Sequence, residues 1–263
     1  MRWKRVGIPE ARPLRLAGDL ILRRFMLPSP VAAMLGKRIA FFSDLHFHDT
    51  EVERRRLAAL AAAFRELRPE ILLTGGDLTG DACDLPLLEA ALRQIADSVP
   101  RALAIPGNWE RGKRWLTIDF WRDVYARGGF ELLCNEERDC GVFSVYGGDD
   151  LVHGDPKLPP AQTTEGKTRI LLTHRPDAVI SCDCAGRLSQ FSLALCGHTH
   201  GGQWRLPQLG AVFVPSFYDR RFDRGWFRRG GDGMPMFVSS GLGELSLPWR
   251  FNCRREAVVI DFV

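Results

Sequence analysis

Residues 193–203 read LALCGHTHGGQ. An apolar run ends here, and two imidazoles follow at once, two residues apart and held between glycines. A short apolar run bounded by turn residues is consistent with a buried strand. Open sheets present their functional groups just beyond such strand ends. Glycine allows the sharp turns and close backbone approach that follow. A surface loop has no use for this combination. A metal site does, provided that other ligands stand at comparable strand ends.

Four other places meet that condition. Residues 38–43 (RIAFFS) read as a buried strand, followed by Asp44, Leu45 and His46. Residues 71–74 read as a second strand, followed by Gly75, Gly76 and Asp77. Residues 101–105 read as a third, followed by Pro106, Gly107, Asn108, Trp109 and Glu110. The run at 169–173 ends in His174. Each piece alone is weak, because a lone histidine after a strand is more often a hydrogen-bonded core residue. Five in order are hard to read as turns. Four of the six histidines fall among them, and His48 and His153 stand outside. Two carboxylates, one amide and four imidazoles are too many for one tetrahedral ion. They suit two cations about 3.5–4 Å apart that share a carboxylate. The mixture of N and O donors fits Mn, Fe or Zn.

Between these strands the apolar periodicity predicts helices over 51–67, stopped by Pro69, over 85–98 and over 113–127. Further strands are predicted at 142–146, 192–196, 211–214, 236–239 and 257–262. The chain thus begins β-α-β-α-β and becomes strand-rich. The expected fold is α/β, with two sheets packed together and helices outside. Residues 147–167, polar and rich in Pro and Gly, read as a long loop near the site. Residues 1–37 form a basic segment ahead of a domain over 38–263. In it Leu14, Ala17, Leu20, Ile21 and Phe25 fall at helical spacing, with Arg12, Arg15, Asp19 and Arg23 on another face. An amphipathic helix is expected there, lying on a membrane surface or packed on the domain.

The bulk properties exclude some classes. No stretch approaches about 20 apolar residues, so no membrane-spanning helix is expected, and no leader peptide is read at the N-terminus. Seven cysteines, an odd number without paired CxxC motifs, predict reduced thiols in a cytoplasmic protein, with peripheral contact at the inner face of the cytoplasmic membrane through residues 1–37. The net charge is only +4 and no stacking module is visible, so nucleic acid is not an expected partner. Of 36 basic residues only five are Lys. Arginine suits bidentate phosphate binding, although genomic base composition explains most of these residues equally. Residues 217–229 (FYDRRFDRGWFRR) interleave five arginines with aromatics. Arg220, Arg221 and Arg224, with Trp109, are the substrate-binding candidates; the plainer reading of the segment is a hairpin strand with a solvated face.

DLH, GGD, GNWE, LLTHRPD and CGHTHGGQ, in this order, resemble the calcineurin-like metallophosphoesterase superfamily from about Lys37 to the C-terminus. The resemblance is sharper for a bacterial branch with GHTHGGQ followed by RLP. That branch also has a GxDD loop, here Gly147 to Asp150, and a C-terminal pattern running from Ser239 through Leu247, Pro248 and Arg250 to Cys253. It includes UDP-2,3-diacylglucosamine diphosphatase-like members, and many of its members begin with a membrane helix. The resemblance implies a four-layer α-β-β-α sandwich of two mixed sheets flanked by helices. It implies that Asp44, His46, Asp77 and His200 hold one metal and that Asp77, Asn108, His174 and His198 hold the other, with Asp77 bridging and with Asp77, Asn108 and His198 catalytic. The implied activity is two-metal phosphoester hydrolysis. Its substrate would be a lipid-linked diphosphate such as UDP-2,3-diacylglucosamine, cleaved to the lipid monophosphate and UMP, or else general cell-envelope or small soluble phosphoesters. A binding protein that has lost catalysis is the reading from another class.

One position departs from the family pattern. The family usually has GNH where this chain has Gly107, Asn108 and Trp109. Indole has one N–H donor and no proton that titrates near neutral pH. An alkoxide leaving group needs a proton, whereas a phosphate leaving group, with its second pKa near about 6, departs as an anion. Trp109 therefore favours a diphosphate or another acidic leaving group, or else it only packs.

Overall fold

The computed structural model describes residues 3–80, 84–113, 115–161, 167–230, 233–245 and 249–263. Leu247 and Pro248 of the C-terminal motif, Cys83, and 162–166 of the long loop lie outside the described residues.

The chain opens with β1 (Trp3–Arg5), β2 (Leu14–Arg15), β3 (Leu20–Leu27) and β4 (Arg38–Phe42), then α1 (Glu51–Leu67), β5 (Ile71–Thr74), α2 (Leu85–Ala96) and β6 (Ala102–Ala104). It continues with α3 (Asn108–Gly112), α4 (Ile118–Arg127), β7 (Glu131–Leu132), β8 (Glu136–Asp139), β9 (Phe143–Gly147) and β10 (Thr168–Thr173). The last part is α5 (Pro176–Cys184), β11 (Leu193–Cys196), β12 (Arg205–Leu206), β13 (Gly210–Ala211), β14 (Gly225–Arg229), β15 (Pro235–Val238) and β16 (Arg255–Phe262). Two seven-stranded mixed sheets result, in the orders β1-β14-β15-β11-β10-β9-β8 and β2-β3-β16-β4-β5-β6-β7.

Side-chain alternation along the strands sorts the core into three layers of contact. Ile39, Phe41, Ile71 and Leu73 point inward and meet Ile170, Leu172, Leu193 and Leu195 of the facing sheet. Their neighbours Ala40, Phe42 and Leu72 point outward, under Leu60 and Phe64 of α1, Leu88 and Leu92 of α2, and Trp121 and Val124 of α4. On the other side Leu171, Ala194 and Cys196 pack under Val179 and Ile180 of α5. The layers are therefore α-β-β-α. Strands buried on both faces read as unbroken apolar runs, which is why 71–74 and 193–196 stand out in the sequence.

The N-terminal segment differs from its expected form. Residues 20–27 are not an amphipathic helix; they are β3, which pairs in parallel with β16 along its whole length, from Leu20 against Arg255 to Leu27 against Phe262. Leu20 and Leu22 are buried on the outer, helix-covered face, and Phe25 and Leu27 on the inner one. The buried positions thus run 20, 22, 25, 27, a spacing that mimics a helix because the strand changes its covered face part-way. Between them Arg23 is tied to Glu10 by paired 2.7 Å bonds. Two smaller corrections concern 113–127, where the long helix starts only at Ile118, capped by Thr117, and 211–214, where only Gly210–Ala211 is strand.

Strands β4, β5 and β6 run parallel in one sheet, and β9, β10, β11 and β15 in the other. The loops that follow β4, β5, β6, β10 and β11 emerge together at one end of the sandwich.

Candidate metal centre

These five loops carry Asp44 and His46, Asp77, Asn108, His174, and His198 and His200. The first two loops are zipped to each other: the backbone N–H groups of Asp44, His46 and Phe47 donate to the carbonyls of Gly76, Asp77 and Leu78 at 2.9–3.0 Å. The third is tied to the second by Glu110, which is fully buried. Its carboxylate accepts from the N–H groups of Gly107 (2.8 Å), Asp77 (3.1 Å), Leu78 (3.0 Å) and Thr79 (3.2 Å). The Asp44 carboxylate accepts from the His198 N–H at 2.9 Å and so joins the first sheet's loop to the second's.

Asp44, His46, Asp77, His198 and His200 all have φ between 42° and 70°. Left-handed backbone is uncommon outside glycine, and strain of this kind gathers at functional sites. Two glycines are required by close approach. A Cβ on Gly107 would stand 2.1 Å from Asp77 Oδ1, and one on Gly197 would stand 2.4 Å from Asp44 Oδ2.

The donor atoms converge in two groups, Asp44 with His46 and His200, and Asp77 with His174 and His198, each within 4.8 Å and wholly buried. Nε2 of His46 faces Nε2 of His200 at 3.1 Å. Nε2 of His174 faces Nδ1 of His198 at 3.1 Å and Oδ1 of Asn108 at 3.0 Å. Ring nitrogens and an amide oxygen brought this close suit a donor set built around cations. Asp77 Oδ2 reaches both groups, lying 3.3 Å from His174 Nε2 and 3.7 Å from His46 Nε2. His174 gives its other ring nitrogen to the Gly75 carbonyl at 2.7 Å, which sets the tautomer and frees Nε2 as a ligand. The seven residues expected as ligands are thus brought together.

Electrostatics follows from burial. Desolvation pushes the Asp44 carboxyl up to about 7 and holds His46 down to about 4. It also holds His198 and His200 well below the ordinary histidine range. For Asp77 burial acts upward, yet His174, His46 and the Trp109 N–H together outweigh it and the carboxylate lies well below its usual range. For His174 burial acts downward, and Asp77 beside it outweighs this and raises the ring to about 10.

Two cations at the site escaped the sequence reading. Arg175 places Nη1 2.8 Å from His198 Nε2, donates from Nη2 to Asn108 Oδ1 at 3.3 Å, and is held from behind by Asp150 at 2.9 Å. Arg250 lies 3.2 Å from His200 Nδ1 and donates to the Ser240 carbonyl at 2.7 Å. The sequence marks Arg175 only within LLTHRPD and Arg250 only within the C-terminal pattern, 50 residues from His200, and neither is read there as a site residue. Trp109 stands edge-on to the His46 ring, with centroids 5.1 Å apart, and its backbone N–H donates to Asp77 Oδ1 at 2.8 Å. The three arginines expected to bind substrate diverge. Arg220 reaches the Ala211 carbonyl and borders a cleft of about 560 Å³ together with Arg175. Arg221 turns to the Trp3 carbonyl. Arg224 borders a separate cleft of about 820 Å³ with Arg23 and Glu256.

The calcineurin-like phosphoesterase family model matches residues 37–202, which carry all seven of these residues. The chain belongs to the calcineurin-like phosphoesterase family. This phosphoesterase is a metal-dependent hydrolase of a family that uses two divalent metal ions, and its two Asp/His groups could hold them. It is similar to phosphodiesterase YaeI of Escherichia coli (strain K12), 29% identical over 86% of this chain and 82% of that protein. It is similar also to the uncharacterized metallophosphoesterase YkuE of Bacillus subtilis (strain 168), 27% identical over 85% of this chain and 78% of that one. Among solved structures, TT1561 of Thermus thermophilus matches with a TM-score of 0.48 and 12% identity, over 78% of this chain and 89% of that one. No helix among the described residues of the phosphoesterase is long and apolar enough to cross a membrane.

Proposed function

We propose that the chain hydrolyses a phosphodiester or diphosphate bond, and that its substrate is a lipid-linked diphosphate of the UDP-2,3-diacylglucosamine kind, cleaved to lipid monophosphate and UMP. The observation that carries the reading is the convergence of six donor side chains around a seventh, Asp77, whose Oδ2 faces both groups. Asp44, His46, Asp77 and His200 would hold one ion, and Asp77, Asn108, His174 and His198 the other. Such ions supply a nucleophile from water at neutral pH and neutralise phosphoryl charge. Glu110 keeps Asp77 and the Asn108 loop in register, and Arg175 presents a fixed cation on the His198 side. Trp109, edge-on to His46, brings no titratable proton. That supports a leaving group that departs as an anion, as a phosphate does. The similarity to a phosphodiesterase of Escherichia coli supports the reaction class. Arg220 and Trp109 are the substrate contacts best placed for this reading. A membrane-surface contact through residues 1–37 would rest on the exposed Arg12, Leu14 and Arg15 rather than on a helix.

The test pairs the Mn²⁺-loaded protein with UDP-2,3-diacylglucosamine in detergent micelles and with bis-p-nitrophenyl phosphate. Fast UMP release with slow nitrophenolate release is expected. The reverse order points to general phosphodiester hydrolysis, and Trp109→His would then change the turnover of an alkyl phosphodiester and of the diphosphate equally.

A further inference from the structure

A cleft opens beside the metal centre. One wall is Arg175, whose guanidinium lies against His198 and Asn108. The rest of its lining is the chain after β13, with Val212, Phe213, Val214 and Phe217 and the charged pair Asp219 and Arg220. The volume is about 560 Å³, within the range of clefts that hold small organic ligands. Val212 is 55% exposed, Phe213 65% and Phe217 71%. Leu209, 71% exposed, lies just upstream in sequence. Single exposed apolar residues need no explanation, but adjoining ones beside a functional site do.

The loop is held where it is. Asp177, two residues after Arg175 in the first turn of α5, is buried and accepts from the Phe217 N–H at 2.7 Å and the Ser216 hydroxyl at 3.0 Å. Arg220 closes the other end on the Ala211 carbonyl at 3.3 Å. The exposed phenyl rings are therefore carried on an anchored backbone. Arg175 is itself fixed by Asp150, and its side chain is only 11% exposed. A positive wall that touches the metal ligands thus continues into an apolar wall.

We propose that this cleft is the subsite for an apolar organic group on the substrate, with Arg175 binding a phosphoryl oxygen and Phe213 and Phe217 covering the hydrocarbon next to it. The substrate class is a phosphoester with an alkyl or acyl-bearing substituent. Desolvating the hydrocarbon against Phe213 and Phe217 supplies affinity, while the planar, always-charged guanidinium suits phosphate oxygens. The proposal rests on reading the metal centre as a phosphoester hydrolase, and its test separates the two.

The esters to compare are hexyl and methyl p-nitrophenyl phosphate, with kcat/KM measured on the Mn²⁺-loaded protein. Binding of hexyl phosphate and methyl phosphate is measured alongside by titration calorimetry. Each methylene buried is worth about fourfold, so the hexyl-to-methyl ratio is expected to reach at least about tenfold in both experiments. Phe213→Ser with Phe217→Ser should bring both ratios close to one. Arg175→Gln should weaken both phosphates by a common factor and leave their ratio standing. Leu35→Ser, an exposed leucine before β4 at the opposite end of the sheet, should leave the ratio as it was. A ratio near one in the unsubstituted protein, with both esters hydrolysed, overturns the subsite and spares the hydrolase. If neither ester nor UDP-2,3-diacylglucosamine is hydrolysed, the hydrolase reading fails, and the calorimetric ratio alone decides the cleft.

Discussion

Oδ2 of Asp77 lies 3.3 Å from Nε2 of His174. The same oxygen lies 3.7 Å from Nε2 of His46, in the other donor group. One carboxylate therefore serves both. Asp77→Ala is expected to lower bound metal below two per chain and to cut hydrolysis of bis-p-nitrophenyl phosphate by at least about a thousandfold, since several kcal/mol of charge stabilisation is lost with the bridge. Elemental analysis and initial rates check this together. Full activity in the variant would remove Asp77 from the centre.

Metal uptake should depend on pH in a stated direction. Metal ligands must be deprotonated. In the metal-free protein Asp44, pushed up to about 7, and His174, raised to about 10, still carry protons in the acidic range. Below pH 7 an incoming ion displaces both, and above it only that of His174. Affinity therefore rises with pH, by about tenfold per unit for each proton displaced. Mn²⁺ titrations between pH 6 and 8 should show the steeper slope at the acid end. A flat profile contradicts this protonation scheme.

Glu110→Gln tests how the loops are held together. The carboxylate accepts four backbone N–H groups in a fully buried place. The amide retains one acceptor oxygen and brings two unwanted donors. Bonds to a charged acceptor are worth about 1.5–3 kcal/mol each, so a loss of about 2–4 kcal/mol is expected. Denaturant unfolding measures it, and a change below about 0.5 kcal/mol, ordinary for a surface site, contradicts this role.

The sequence disclosed the site more fully than its surroundings. Helix 51–67 and strand 71–74 were read to the residue, because an unbroken apolar run and a one-sided stripe each admit one explanation. The five ligand-bearing turns were legible because each follows such a run at once. β3 was not, since its covered face changes between Leu22 and Phe25, and local spacing cannot report which neighbour covers a strand. Arg175 and Arg250 stand within quoted motifs, but their place at the site is not legible for a related reason: their partners, Asn108 and His200, come from distant loops.

β3 also makes a prediction of its own. Its eight residues pair with β16, which is almost wholly buried. Deleting residues 1–27 bares that edge together with Val258 and Ile260, and unpaired strand edges promote aggregation. The shortened chain is expected to be insoluble or to lose cooperative unfolding, as read by circular dichroism. A soluble variant with full activity would show that the segment is dispensable to the sheet.

The most direct measurement is a stoichiometric titration of the metal-free protein with Mn²⁺, following hydrolysis of bis-p-nitrophenyl phosphate at each addition. Activity is expected to climb to a plateau at two equivalents per chain. A plateau at one equivalent, or two bound ions with no hydrolysis of any phosphoester, would contradict it.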